Sequence, residues 1–262
     1  MQKPTISLVI PMFNEEANID HAIAYATDAL SQHAREYEIV IVDDASTDQS
    51  PDIVRRAVEG NPRIRVIRHD FNQKLGASLR SGFAAAQNEL ILYMDADLPF
   101  DPDVLGRAIR AINVTRADLI AGYRFDRTTE GFRRSLYTII YNWMIRLLFG
   151  IYVRDVNFSF KLMRREVLQA IQLRSEGSLI DAEMLVKARN HGFVIQQIGL
   201  DYFPRVHGTS HLSSPAVIFK IFRELIALFP EMRRKVPRPG LSGAPAPSPV
   251  SAAEGGGAPQ TQ

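Results

Sequence analysis

ELILYMDADLPF, residues 89–100, decides how this chain is read. Leu90 to Met94 is an unbroken apolar run, short enough for a strand covered on both faces. Asp95 and Asp97 follow at once, with only Ala96 between them. Two carboxylates one residue apart, just past a strand end, can point at one place. That is what a hard divalent cation asks of oxygen ligands, and a cation there neutralises a pyrophosphate. The spacing alone is a weak signal. Asp101 and Asp103 also stand two apart, but they flank Pro102 and read as a helix start. Asp101 is then the N-cap, Pro102 the first helical residue and Asp103 a first-turn acid facing the helix dipole. Asp95 and Asp97 differ because they follow a strand.

Outward from this stretch, strands and helices alternate. Strands are predicted at 6–11 (ISLVIP), 38–42 (EIVIV), 63–67 (RIRVI), 89–94 (ELILYM) and 117–122 (ADLIAG). Helices are predicted at 16–33, from a Ser50 cap with Pro51 in its first turn, at 75–87 and at 102–113. This alternation implies an α/β fold, a mainly parallel sheet with helices on both faces. In such sheets ligands bind beyond the carboxyl ends of the strands. Those ends are polar here: Pro11 to Glu16 after the first, Asp43-Asp44-Ala45-Ser46 after the second, Asp95 and Asp97 after the fourth, and Tyr123-Arg124 after the fifth. Acids clustered on one rim repel one another unless a cation or hydrogen-bond donors lie between them. No G-x-G-x-x-G follows a strand and no G-x-x-x-x-G-K-[ST] occurs, which disfavours a dinucleotide fold and a phosphate-cradling loop.

Composition sets the outer limits. The 262 residues suffice for one large α/β domain or two small ones. With no cysteine, disulfides and thiolate metal sites are excluded. The net charge of +2 is uneven: residues 124–165 hold nine Lys/Arg against three Asp/Glu, a local +6. A basic segment beside an acidic site suits an anionic second substrate or a membrane surface. That segment lacks the interleaved aromatics for stacking on bases, so nucleic acid is not an expected partner. No signal peptide is evident, and no segment reaches the roughly 20 apolar residues of a spanning helix. Two amphipathic stretches, 132–150 and 215–230, could lie in a bilayer interface. The second is followed by Arg233, Arg234 and Lys235. Residues 1–235 are expected to form the domain. Residues 236–262, rich in Pro, Ala, Gly and Ser, are expected to be a disordered tail.

VIPMFNEEANI, IVDDASTD, YMDADLPFDP, AGYR, FRRSLY, the Asp155-to-Arg165 segment and RVHGTSHL occur in this order. As an ordered set they resemble an inverting family 2 nucleotide-sugar glycosyltransferase of the GT-A type. The chain is most similar to dolichol-phosphate mannosyltransferases and related polyprenyl-phosphate glycosyltransferases. The resemblance covers about residues 5–230. It implies transfer of a hexose, mannose foremost, from a nucleoside-diphosphate sugar to a polyprenyl phosphate. It also implies a peripheral position on the cytoplasmic face of a membrane, with room for a membrane-protein partner.

By the same resemblance, Pro11, Phe13 and Glu15 match positions near base and ribose. Asp43 and Asp44 lie at the nucleoside, with Asp44 the base-contacting acid. Asp95 and Asp97, with Ala96 between them, match the Mg²⁺- or Mn²⁺-binding pair. Arg124 and Arg134 match phosphate-contacting positions, including that of the lipid acceptor, and Arg133 accompanies them. Arg205 and His211 match residues reaching the pyrophosphate. Arginine suits phosphate because its planar fork binds two oxygens and stays charged. Three positions depart from the family: Phe13 stands where Tyr is frequent, Pro99 where Gln is, and His211 where Lys is usual. Pro99 offers no side-chain ligand, and the charge of His211 depends on pH.

A phosphate acceptor needs positioning, whereas a hydroxyl acceptor needs a general base. Asp155, Asp181 and Glu183 are the carboxylates placed late enough to serve as one, and Lys161 is assigned no role. Two other readings stay open at this point: a family 2 enzyme acting on a sugar hydroxyl of a glycan or glycolipid, and a non-catalytic nucleotide-sugar-binding subunit.

Overall fold

The computed structural model describes residues 2–97, 103–125, 132–200 and 215–236, and leaves out the side chains of 132–136 and 215–219. Among these residues one sheet holds seven strands: β1 (Thr5–Met12), β2 (Glu36–Asp43), β3 (Ile64–Arg68), β4 (Leu90–Tyr93), β5 (Leu119–Arg124), β6 (Lys161–Arg164) and β7 (Ile195–Leu200). The helices are α1 (Ile19–His33), α2 (Ser50–Gly60), α3 (Lys74–Ala85), α4 (Asp103–Thr115), α5 (Phe132–Phe149), α6 (Arg165–Ala170), α7 (Leu179–Asn190) and α8 (Pro215–Met232). The expected tail lies outside the described residues except for Val236, whose amide donates to the Asn190 carbonyl at 3.1 Å.

The strand order is β3-β2-β1-β4-β6-β5-β7. β1 runs parallel to β2 and β4, with Val9 opposite Val40 and Leu8 opposite Leu92. β6 is the exception, antiparallel to both β4 and β5. The expected mainly parallel sheet is therefore borne out, with one reversed strand inserted.

Both faces of the sheet are covered, which explains the unbroken apolar runs. Ile6, Leu8 and Ile10 pack with Leu30 of α1 and Leu105 of α4. Val9, pointing the other way, packs against α3 in a second core that holds Leu79, Phe83 and the buried residues of α7. Successive side chains of a strand alternate faces, so one strand feeds two cores. Gly82 lets α3 lie close on the sheet, because a Cβ there would run into the Val9 side chain.

α2 starts differently from expectation. The Ser50 hydroxyl accepts the Glu15 amide at 2.8 Å, tying the β1 loop down. Asp48 accepts the Ser50 amide at 3.0 Å instead. α1 begins at Ile19 rather than residue 16, because the Glu15 carbonyl accepts the amides of Asn18 and Ile19, both at 2.9 Å. The chain leaves β1 for β2 on one side, while β4 lies on the other. The crevice beyond β1 and β4 is thus the switch point, where α/β sheets hold ligands.

Candidate active site

The ends of β1 and β2 are laced together. Asn14 sits at φ +55, a left-handed conformation that asparagine tolerates. Its side-chain oxygen accepts the Thr47 amide at 2.8 Å, and its own amide donates to Ser46 Oγ at 3.0 Å. Pro11 is half-buried, Phe13 leaves its ring exposed, and the Glu15 carboxylate accepts from Asn18 Nδ2 at 2.8 Å.

Asp43 and Asp44 are both buried. Asp43 is committed to the turn: it accepts the Ser46 amide at 2.9 Å and pairs with Arg68 at 3.1 Å. Asp44 accepts from His69 Nδ1 and the Gln73 amide on Oδ1, and from the Lys74 amide on Oδ2, at 2.7, 2.8 and 2.7 Å. His69 carried no signal in the sequence, because its partnership with Asp44 exists only once β2 and β3 pair.

Next across the switch point, Tyr93 is buried and its hydroxyl donates to Asp95 Oδ1 at 3.1 Å. Burial holds that phenol well above its usual pKa, with the Asp181 and Asp95 charges adding to the effect, so it remains a donor. Asp95 is itself pushed up to about 7. Loss of solvation is the main cause, followed by the charges of Asp97 and Asp181, while hydrogen bonds from Ser159 and Tyr93 oppose the rise. A carboxyl disfavoured by its carboxylate neighbours is a place where a cation is favoured. The donor set is two hard oxygen groups, which suits Mg²⁺ or Mn²⁺. Among the described residues no group of three or more His, Asp or Glu converges as a complete protein cage.

Beneath this pair lies a buried cation. Lys161 of β6 is 0% exposed, donates to Asp181 Oδ1 at 2.5 Å and to the Phe158 carbonyl at 2.6 Å, and stands 5.5 Å from the Tyr93 ring centroid. Asp181 is only 2% exposed. Glu183, 0% exposed, accepts the amides of Arg174 and Ser175 and pairs with Lys187 at 2.7 Å. These two carboxylates, candidates for a general base by position, instead hold α7 in the core. Asp155, 2% exposed, lies 3.8 Å from Arg124 Nε. The Arg124 guanidinium stacks 5.2 Å from the Phe158 ring centroid at the end of β5.

Arg133 and Arg134 fall in the first turn of α5, with side chains outside the description. Arg205, His211 and Pro99 lie outside the described residues altogether. A cavity of about 590 Å³ opens at the other end of the strands between Thr5, Glu89 and Arg164. It contains none of these acids, so the site is placed by its chemistry and not by cavity size.

Three curated proteins are similar. Glycosyltransferase AglD of Haloferax volcanii is 28% identical over 207 residues, 76% of this chain and 33% of that protein. Dodecaprenyl-phosphate galacturonate synthase of Rhizobium johnstonii is 28% identical over 92% of this chain and 70% of its own length. Undecaprenyl-phosphate 4-deoxy-4-formamido-L-arabinose transferase of Aeromonas hydrophila is 27% identical over 78% and 62%. The chain thus spans from one third to about two thirds of the length of these relatives.

Among solved structures, glucosyl-3-phosphoglycerate synthase from Mycobacterium tuberculosis with phosphoglyceric acid matches at a TM-score of 0.68 and 19% identity, over 87% of this chain and 80% of that one. The same enzyme with Mn²⁺, UDP-glucose and phosphoglyceric acid matches at 0.65 and 19%, over 88% and 80%. These likenesses show a shared GT-A-type fold. Residues 7–172, more than half of the chain and the part that carries every described strand-end acid, match the family described as Glycosyl transferase family 2, and the chain belongs to that family.

Proposed function

We propose that this glycosyltransferase moves a hexose, mannose foremost, from a nucleoside-diphosphate sugar to a polyprenyl phosphate with inversion. The observation that carries the reading is the Asp95–Asp97 pair at the switch point, beside the polar ends of β1 and β2, which would face the nucleoside. Asp95 and Asp97 would hold Mg²⁺ or Mn²⁺, with phosphate and water completing the shell. The bound ion supplies charge stabilisation for the departing nucleoside diphosphate. The solved neighbour with Mn²⁺ and UDP-glucose supports this choice of ion, and the two bacterial relatives named for polyprenyl-phosphate sugar transfer support the acceptor.

The burial of Asp155, Asp181 and Glu183 favours a phosphate over a hydroxyl acceptor. A phosphate monoanion or dianion is already a nucleophile and needs no deprotonation, only charge compensation and aim. Arg124 at the end of β5, with Arg133 and Arg134 opening α5, would provide both. Arg205 and His211 would reach the donor pyrophosphate. The decisive assay offers a panel of GDP- and UDP-sugars, with Mn²⁺, to polyprenyl phosphate and to free-hydroxyl acceptors, and weighs the product by mass spectrometry. Product on hydroxyl acceptors alone would sink the reading. Arg134→Ala is expected to raise KM for polyprenyl phosphate by about tenfold or more, the worth of one charge-assisted hydrogen bond. Its donor KM is expected to stay near that of the parent. Unchanged acceptor kinetics would remove Arg134 from this role.

Peripheral attachment to a membrane is part of the same proposal, and an exposed apolar strip on each of two helices supports it. On α5, Asn142 faces inward: its Nδ2 donates to the Arg154 carbonyl at 2.9 Å and its Oδ1 accepts the Val156 amide at 3.2 Å. Ile139, Ile140, Trp143 and Leu147 face out, Trp143 at 63% exposed. On α8, Glu224 accepts from Ser175 Oγ at 2.9 Å and Glu231 pairs with Lys187 at 2.6 Å, while Ile226 is left 75% exposed. The rings of Phe149 and Phe229 meet at 5.5 Å, joining the two helices. Apolar side chains left outside on helices whose other apolar residues already pack in the core are what a lipid interface rewards, and the exposed Arg233, Arg234 and Lys235 suit anionic headgroups. No described helix is long and apolar enough to cross a membrane. Trp143→Ser with Ile226→Ser is expected to weaken co-sedimentation with phosphatidylglycerol vesicles by about tenfold or more, given about 1.5–3 kcal/mol per large buried side chain. Binding unchanged by the pair would mean that these faces do not meet lipid.

A further inference from the structure

The Asp44 carboxylate is nearly saturated, and the way in which it is saturated has a direction. A carboxylate offers about four lone-pair positions, two on each oxygen. Oδ1 takes His69 Nδ1 at 2.7 Å and the Gln73 amide at 2.8 Å. Among the described residues Oδ2 takes the Lys74 amide alone, at 2.7 Å. One lone pair of Oδ2 remains. The imidazole is buried and fixed at both ends, because Nε2 lies 2.9 Å from Ser81 Oγ on α3. Facing a carboxylate, Nδ1 carries the proton and Nε2 accepts from the serine, so a neutral ring satisfies both contacts.

The surrounding backbone is held under strain. Ala45 sits at φ +62 and Lys74 at φ +71, conformations that persist only where neighbours over-determine them. The two amides would by themselves cap α3, whose N-cap Gln73 makes no side-chain cap of its own. The third donor is surplus to that task. What it adds is a fixed carboxylate torsion, with Oδ1 closed and one position of Oδ2 open.

We propose that His69, braced by Ser81, is a positioning residue that aims the open lone pair of Asp44 Oδ2 at a ring N–H of the donor nucleobase and so sets which base is accepted. This deepens the proposed function and rests on its placement of Asp44 at the nucleoside. A base that presents a ring N–H to Oδ2 is accepted. One that presents a ring nitrogen lone pair meets a negative charge and is refused. His69 itself touches no substrate.

The test is equilibrium binding of GDP, ADP, UDP, CDP and pyrophosphate, each with Mn²⁺, to the full chain by calorimetry; guanine and uracil present a ring N–H where adenine and cytosine present a lone pair. His69→Leu is expected to weaken the preferred nucleotide by about tenfold, as when one hydrogen bond to a charged group is lost. The preference for a ring N–H over a ring lone pair, GDP over ADP or UDP over CDP, moves toward one, while pyrophosphate binding stays within about twofold. His69→Asn, whose amide nitrogen can stand in for Nδ1, is expected to recover most of the preference. Ser81→Ala, a milder change to the same brace, lowers the preference severalfold and serves if His69→Leu fails to fold. Retained preference in His69→Leu, equal loss of pyrophosphate binding, or no recovery in His69→Asn overturns the inference. Asp44→Asn separates the two levels. If it leaves the preference intact, the nucleoside placement of Asp44 is wrong and the inference falls with it. If it abolishes the preference while His69→Leu does not, only the role of His69 is lost.

Discussion

Asp97→Asn is expected to abolish sugar transfer while the protein stays folded. Asparagine keeps the shape of the side chain but removes the charge that a divalent cation needs from one of only two protein carboxylates in the pair. The ion contributes several kcal/mol to stabilising a departing diphosphate, and each 1.36 kcal/mol is tenfold in rate. A fall of roughly 10²- to 10⁴-fold in kcat/KM follows from those two values. Asp97 is half-buried at the rim, not in the core, so melting temperature and circular dichroism should match the parent. The discriminating measurement is the thermal shift with nucleoside diphosphate, with and without Mn²⁺. The parent gains stability from the pair of ligands together, and the variant should lose the Mn²⁺-dependent part. Turnover within about threefold of the parent, against the expected loss of at least two powers of ten, would mean that the metal is not held here.

The first half of the fold was legible because each element carried its own signal. Strands at β1, β2, β3 and β4 were placed within two residues of where they stand, since buried parallel strands are short apolar runs bounded by polar turns. The strand-end acids followed from the same argument. α7 gave no such signal. All residues from Leu179 to Ala188 are buried, so the helix has no polar face and no 3.6-residue contrast. Its three buried charged side chains, Asp181, Glu183 and Lys187, look like surface residues in the sequence but are neutralised inside, Asp181 by Lys161 and Glu183 by Lys187.

β6 was hidden for a different reason. It is four residues long and is inserted between β4 and β5, two strands that precede it in the chain, so no local pattern announces its place. The contributions of Ser159, Lys161 and His69 were illegible for the same cause. Each is a contact between elements far apart in sequence, as with Tyr93 and Lys161, or Asp44 and His69. The two apolar helices were visible as amphipathic stretches. Which side faced the domain was not, because Asn142, Glu224 and Glu231, residues that ordinarily face water, are anchored inward beside Ile145, Leu225 and Met232.

The buried Lys161–Asp181 pair gives the largest expected effect on stability. Lys161→Met preserves the length and apolar stem of the side chain but leaves Asp181 without its cation, among the charges of Asp95 and Asp155. Breaking a buried ion pair by removing one partner costs about 3–5 kcal/mol, because a charge is stranded in the interior. At about 2–4 °C per kcal/mol for a chain of this size, the melting temperature should fall by about 10 °C. The loss should depend on pH in a definite sense. Burial already holds the Asp181 carboxyl above its ordinary range, and Lys161 opposes that rise. Without the lysine the folded-state value climbs further, so the folded protein binds a proton that the unfolded chain has released. Stability of the variant then falls as pH rises above the unfolded carboxyl value of about 3.9, until the raised folded value is passed. The deficit against the parent should accordingly be smaller at pH 5 than at pH 8. Lys161→Met with Asp181→Leu removes both charges and should recover most of the loss, since a buried pair is often replaceable by apolar side chains at little net cost. Urea unfolding of the four proteins of this cycle at both pH values checks the account. A double variant no more stable than Lys161→Met would show that the contact of the lysine ammonium with the Phe158 carbonyl, and not the stranded charge of Asp181, carries the stability.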